Sequence, residues 1–178
     1  MRGGYKKIFW GILIATFSIN LGFVTILPTF IGWTIVATGI SILDKYAQKG
    51  DFSKAYSLAT ILVVLHFIGG FISLLGEVQI GNAVPFIFYP LISMMIELLL
   101  IHSLLKATVD HFDVMGRKRV SEKYIAKDRA YIILMGITMI LYTLTITLNE
   151  VIIGVITALI TTIYLLTVIS SLRKETFQ

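Results

Sequence analysis

Three ionisable side chains fall inside apolar stretches, where such groups are costly: His66, Glu97 and His102. A charge at the centre of a membrane-spanning helix costs about 2.5–3.5 kcal/mol on insertion scales, so each group needs a partner or a task. His66 lies near the middle of one apolar segment and Glu97 near the middle of the next. If these are antiparallel neighbours rising 1.5 Å per residue, the two differ in depth by only about 3 Å. The spacing therefore predicts a His66–Glu97 hydrogen bond. Such a pair could exchange a proton, hold a cation, contact a polar substrate, or simply fix helix packing. Ser93 shares the Glu97 face one turn away. His102 is about 140° around the helix from Glu97, near a basic end where it can reach lipid headgroups. These groups lack His-x3-His or Glu-x2-His spacing, so no metal site is expected. His111 reads as ordinary surface.

Catalytic signatures are missing. The chain has no cysteine, no Gly-x-Ser-x-Gly, no His-Glu-x-x-His and no phosphate-binding glycine loop. Ser73 and Ser93 are the only nucleophiles near the His66–Glu97 level. A non-enzymatic protein without a cofactor is expected.

The elements that must position these residues follow from composition. Of 178 residues, 57% are hydrophobic and 14% charged, against about 25% charged in a soluble domain. Lipid must solvate part of this surface. At about 20 apolar residues per span, the segments are Tyr5–Leu21, Pro28–Leu43, Ala55–Gly76, Val84–Ala107, Arg129–Leu148 and Val151–Leu172. The reading is an all-α, single-domain, six-span bundle whose first hairpin is short. Its first apolar stretch, after Met1–Lys7, has no small-x-small cleavage site before Asn20 and reads as an uncleaved span. All 15 Lys and Arg residues fall at the two ends or in the second and fourth gaps between spans. The gaps Gly22–Leu27, Glu77–Ala83 and Asn149–Glu150 hold none. The positive-inside rule then puts both termini in the cytoplasm, in a bacterial cytoplasmic membrane. That asymmetry also accounts for a pI near 9.5, and nucleic acid is not an expected partner. Pro28 and Pro85 suit first helical turns, Asn82 suits a cap, and Pro90 is expected to kink the fourth helix.

Polar residues recur on single faces: Thr138, Tyr142, Thr145 and Asn149 on the fifth helix, and Gly154, Thr157, Thr161, Tyr164 and Ser171 on the sixth. One reading is close packing through small residues and back-bonded hydroxyls. The other is a polar cavity among helices three to six, open to the outside, with Tyr142, Asn149, Glu150 and Tyr164 lining its upper part. The function expected is binding or transport of a small molecule or ion, with Glu97, His66, Ser93, Tyr142, Asn149 and Tyr164 as contacts. The alternative is an accessory subunit that acts through Thr108–Asp128. That segment reads as a charged cytoplasmic linker with an amphipathic stretch on anionic lipid, or as a docking surface through Arg117, Lys118 and Arg119. A bundle this thin is expected to work as a homo-oligomer or with a partner subunit. A cavity touching Glu97 would favour binding, and a dry packed interior would favour the accessory role.

The run Phe9-Trp10-Gly11, followed by Ile26-Leu27-Pro28-Thr29-Phe30-Ile31-Gly32-Trp33, resembles the N-terminal signature of small polytopic membrane proteins of Gram-positive bacteria. There the second part reads Leu-Pro-Asp-Phe-Ile-Gly-Tyr; here Thr29 stands for the acidic residue and Trp33 for the tyrosine. The resemblance covers roughly residues 8–40 and implies no activity. In length, span number and orientation the chain is also similar to the S components of energy-coupling-factor transporters. Those meet their coupling subunit through a small-x3-small motif in helix one, and Gly11 and Ala15 stand at that spacing.

Overall fold

A computed structural model describes residues 1–17, 20–21, 24–25, 28–47, 51–74, 88–148 and 151–175. Among them are six α-helices: α1 Arg2–Thr16, α2 Thr29–Tyr46, α3 Ser53–Leu74, α4 Tyr89–Val114, α5 Lys118–Leu148 and α6 Val151–Glu175. Between α1 and α2, the two-residue strands β1 (Asn20–Leu21) and β2 (Val24–Thr25) pair antiparallel, Asn20 opposite Thr25. The expected cap at Asn82, Pro85 and the acidic residues Glu77 and Glu150 lie outside the described residues.

Each helix packs on its neighbour in sequence, and α6 returns to α1. Among the described residues, three helical segments are long and apolar enough to cross a membrane: Ser53–Ile72, Tyr89–Val114 and Ile152–Glu175. This falls short of the six spans expected, for reasons of length and composition. Helix α1 has 15 residues, about 22 Å at 1.5 Å per residue against a hydrocarbon core of about 30 Å. Helix α2 carries Asp44 and Lys45 in its last turn, and α5 opens on the charged stretch Lys118–Arg129, which leaves Ala130–Leu148 as its apolar part.

The pair α1–α2 meets backbone to backbone. A Cβ on Gly11 would sit 2.7 Å from the Gly32 carbonyl oxygen, and one on Gly32 would sit 2.5 Å from the Ala15 nitrogen. Seven residues along each helix, Gly4 and Gly39 face each other in the same way. Small residues at this spacing let two helices touch without intervening side chains. Gly11 and Ala15 are thus covered by α2 of the same chain.

Burial is concentrated where the basic residues are. Tyr5, Leu43, Phe52, Leu105, Phe112, Tyr124 and Leu172 form its fully or almost fully buried base. Toward the other end Phe67, Phe71, Ile140, Leu144, Ile152 and Ile153 are exposed. Soluble monomers rarely carry an apolar belt of that extent.

The segment Thr108–Asp128 is not a linker. Helix α4 runs on to Val114 and α5 begins at Lys118. The turn between them is a Schellman cap: Gly116 N–H donates to Asp113 O and Arg117 N–H to Phe112 O, both at 3.0 Å, with Gly116 at φ +73°. Glycine takes that left-handed conformation without the Cβ penalty. Thr108, His111 and Phe112 are buried inside this hairpin, which corrects the reading of His111 as surface. Tyr5 Oη and Thr108 Oγ1 lie 2.8 Å apart, tying α1 to α4. Prolines shift too. Pro28 precedes α2 as its N-cap, and Pro90 sits in the first turn of α4. There its missing N–H costs nothing and no kink is required.

Candidate functional site

The residues expected to form one site divide into two, because each step of four along a helix turns the face by 40°. Tyr89 and Ser93 on α4 face α3; Glu97, 80° on from Tyr89, faces α5 and α6. His66 therefore meets the first two and not Glu97. Its Nε2 is 3.0 Å from Ser93 Oγ and its Nδ1 is 3.1 Å from Tyr89 Oη. Tyr89 donates its hydroxyl proton to Leu65 O at 3.3 Å. That direction leaves the Tyr89 oxygen to accept from Nδ1–H, and Nε2 to accept from the Ser93 hydroxyl. Trp33 of α2 stacks on the imidazole, with centroids 6.4 Å apart and planes 12° apart. Both ring nitrogens are satisfied with the imidazole neutral, so His66 clamps α3 to α4. Ser93 is only 8% exposed, which closes its hydroxyl to an approaching substrate.

Glu97 lines a partly open cavity of about 60 Å³ between α4, α5 and α6, with Tyr131, Thr138, Thr161 and Thr162 among its walls. Thr138 and Thr161 sit with their hydroxyl oxygens 2.8 Å apart, and Thr138 also donates to Leu134 O at 2.9 Å. The polar stripes of α5 and α6 therefore face each other, as close packing requires; Gly154 lies against Thr145. The buried Tyr131 hydroxyl finds no hydrogen-bond partner among the described residues. A buried hydroxyl without a partner costs about 1–3 kcal/mol. Here it opens on a polar space large enough for a few waters or one ion.

One turn closer to the basic end of α5, Asp128 Oδ2 is 2.8 Å from His102 Nδ1. The His102 side chain is 43% exposed and that of Asp128 13%, and Asp128 Oδ1 is buried without a partner among the described residues. Burial pushes the Asp128 carboxyl up from its ordinary value, against the His102 hydrogen bond that pulls it down. His102 and Asp128 thus form the layer below Glu97 and Tyr131. Among the described residues, no cluster of three His, Cys, Asp or Glu side chains could hold a metal ion.

Tyr164 and Tyr142 do not join the cavity. Tyr164 donates to Lys127 O at 3.1 Å, at the basic end rather than in an outer vestibule. Tyr142 is half-buried and accepts the Thr145 hydroxyl through its carbonyl at 2.7 Å. Asn149 lies outside the described residues. Of the basic trio, Arg117 is a brace: its guanidinium donates to Glu175 O at 3.0 Å and lies 5.2 Å from the centre of the Phe112 ring. Lys118 and Arg119 are exposed.

No known family, curated protein or solved structure matches this chain.

Sequence reasoning missed Tyr89, Asp128 and Tyr131. Asp128 was countable: a three-residue turn at Met115–Arg117 aligns it with His102 in an antiparallel hairpin. The signal for that turn was Gly116, followed by charged residues of both signs.

Proposed function

We propose that this is an integral membrane protein that binds a small hard cation, a proton or an alkali ion, at Glu97. The observation that carries the reading is the small, partly open cavity shared by the Glu97 carboxylate and the Tyr131 hydroxyl, which has no partner among the described residues. A single carboxylate among hydroxyl oxygens suits a monovalent hard ion, since oxygen donors prefer hard cations and one negative charge balances one positive. The volume is too small for a drug-sized organic substrate, whose pocket needs about 300 Å³ or more. His102 and Asp128 supply the approach from the basic end, where the ion meets a partly exposed imidazole first. Lysine and arginine gather at this end, which the positive-inside rule makes the cytoplasmic one, so this approach opens inward.

The test is thermal unfolding of purified protein in NaCl, LiCl or KCl against choline chloride at equal ionic strength, repeated across pH. Stabilisation by one alkali ion, or a pH-dependent midpoint, is expected in the wild type and in His66→Ala. Glu97→Gln is expected to remove it. Full retention in Glu97→Gln would place the ion elsewhere and end the proposal.

A second reading, docking of a cytoplasmic partner, is supported by the tip of the α4–α5 hairpin. Val114 and Met115 are about half exposed there, beside exposed Lys118 and Arg119. Charge reversal at Lys118 and Arg119, leaving the Arg117 brace intact, is expected to remove a co-purifying partner. An unchanged set of co-purifying proteins would reject this reading.

A further inference from the structure

A second cavity lies on the outside of the bundle, where α6 meets α1. It is an open groove of about 490 Å³, lined on α6 by Ile163, Leu166, Thr167, Ser170, Ser171 and Lys174, and on α1 by Phe9. The α6 residues recur at i, i+3, i+4, i+7, i+8 and i+11, a single stripe along one helix face. Their chemistry is graded. The deep end is apolar, with Phe9, Ile163 and Leu166. The end nearest the basic face carries two serine hydroxyls and an exposed lysine. One further cation reaches that end, and another stands on the neighbouring turn of α1. Lys127 of α5 donates to Ser171 Oγ at 3.1 Å. Lys6 is exposed one turn from Phe9 on the same side of α1. From Ile163 to Lys174 the stripe rises about 16 Å, which is close to one leaflet of a hydrocarbon core of about 30 Å.

We infer that this groove is a binding site for one anionic phospholipid of the leaflet facing the basic end. An acyl chain lies along Phe9, Ile163 and Leu166, and the headgroup phosphate accepts hydrogen bonds from Ser170 and Lys174. The charge at the polar end and the apolar floor at the other match an amphiphile with an anionic head. They do not match a second helix, which would place apolar side chains along the whole stripe. The site is separate from the Glu97 cavity and does not depend on the ion-binding proposal.

Native mass spectrometry of the detergent-solubilised protein tests it, with phosphatidylglycerol and phosphatidylcholine of identical acyl chains as probes. Wild type is expected to retain one phosphatidylglycerol at least about fivefold more tightly than phosphatidylcholine, the preference that one basic residue near a headgroup supplies. Lys174→Glu should abolish the preference, and Ser170→Phe, which fills the groove, should weaken both lipids. Equal retention of the two lipids by wild type would overturn the proposal, as would an unchanged preference in Lys174→Glu. A wild-type dimer that Ser170→Phe dissociates would place a second copy in the groove and overturn it equally.

Discussion

Replacing Tyr131 by Phe removes one oxygen atom from the wall of the Glu97 cavity and leaves the ring in its buried seat. The hydroxyl has no partner among the described residues, so in an empty cavity its loss should stabilise the fold. An unsatisfied buried hydroxyl costs about 1–3 kcal/mol, and in a chain of this length each kcal/mol moves the unfolding midpoint by about 2–4 °C. In choline chloride, Tyr131→Phe is therefore expected to melt about 2–12 °C above wild type. With the preferred cation present the order should narrow or reverse. Wild type gains RT ln(1 + [L]/Kd), about 2.7 kcal/mol at a hundredfold excess over Kd, while the variant has lost one oxygen donor and gains less. Differential scanning fluorimetry in a cation series measures both arms. If Tyr131→Phe melts with wild type in choline and shows the same cation-induced shift, the hydroxyl neither carries an unmet hydrogen bond nor contacts the ion, and the reasoning fails.

Gly32→Ala should lower the midpoint by several degrees, because its Cβ would meet backbone atoms of α1 at about 2.5–2.7 Å and overpacking of this kind costs about 1–3 kcal/mol; Gly70→Ala, with open space around it, should be neutral or raise the midpoint. Equal effects from the two would contradict the backbone contact. Glu175 is held below the ordinary carboxylate range by the hydrogen bond from Lys123. The stability it contributes is present above the ordinary carboxylate pKa and is lost as pH falls through the lowered one. Lys123→Met should shrink that acid-limb loss, worth about 0.2–1 kcal/mol, in unfolding scans between pH 3 and 7, with Arg117 still holding part of it. Identical pH profiles would reject the link.

Helix count and the grouping of charge were readable because both depend on composition over long windows. The facing stripes of α5 and α6 were readable because a helical period fixes a face. Which helix a face meets was not. Glu97 and His66 sit at similar depth, yet pairing depends on rotation about the axis, and Tyr89 and Ser93 occupy the side of α4 that α3 covers. The stretch Thr108–Asp128 was misread because charge was taken for exposure. Its Thr108, Phe112 and Tyr124 pack inside a helical hairpin, while long cationic side chains lie over aromatic faces, Lys127 Nζ 4.8 Å from the Tyr124 ring centre. Such stems cover apolar surface while their heads reach water.

The glycine contact between α1 and α2 bears on how the chain enters a bilayer. A helix of 15 residues is too short to be held across a membrane by its own hydrophobicity. Joined through Gly4, Gly11, Gly32 and Gly39, it enters as half of a two-helix unit whose insertion free energies add. Helix α1 therefore waits for α2 before it is committed. A lesion at Gly32 should accordingly be seen first during synthesis, as failed integration and proteolysis of the nascent chain, rather than as a weakened finished protein.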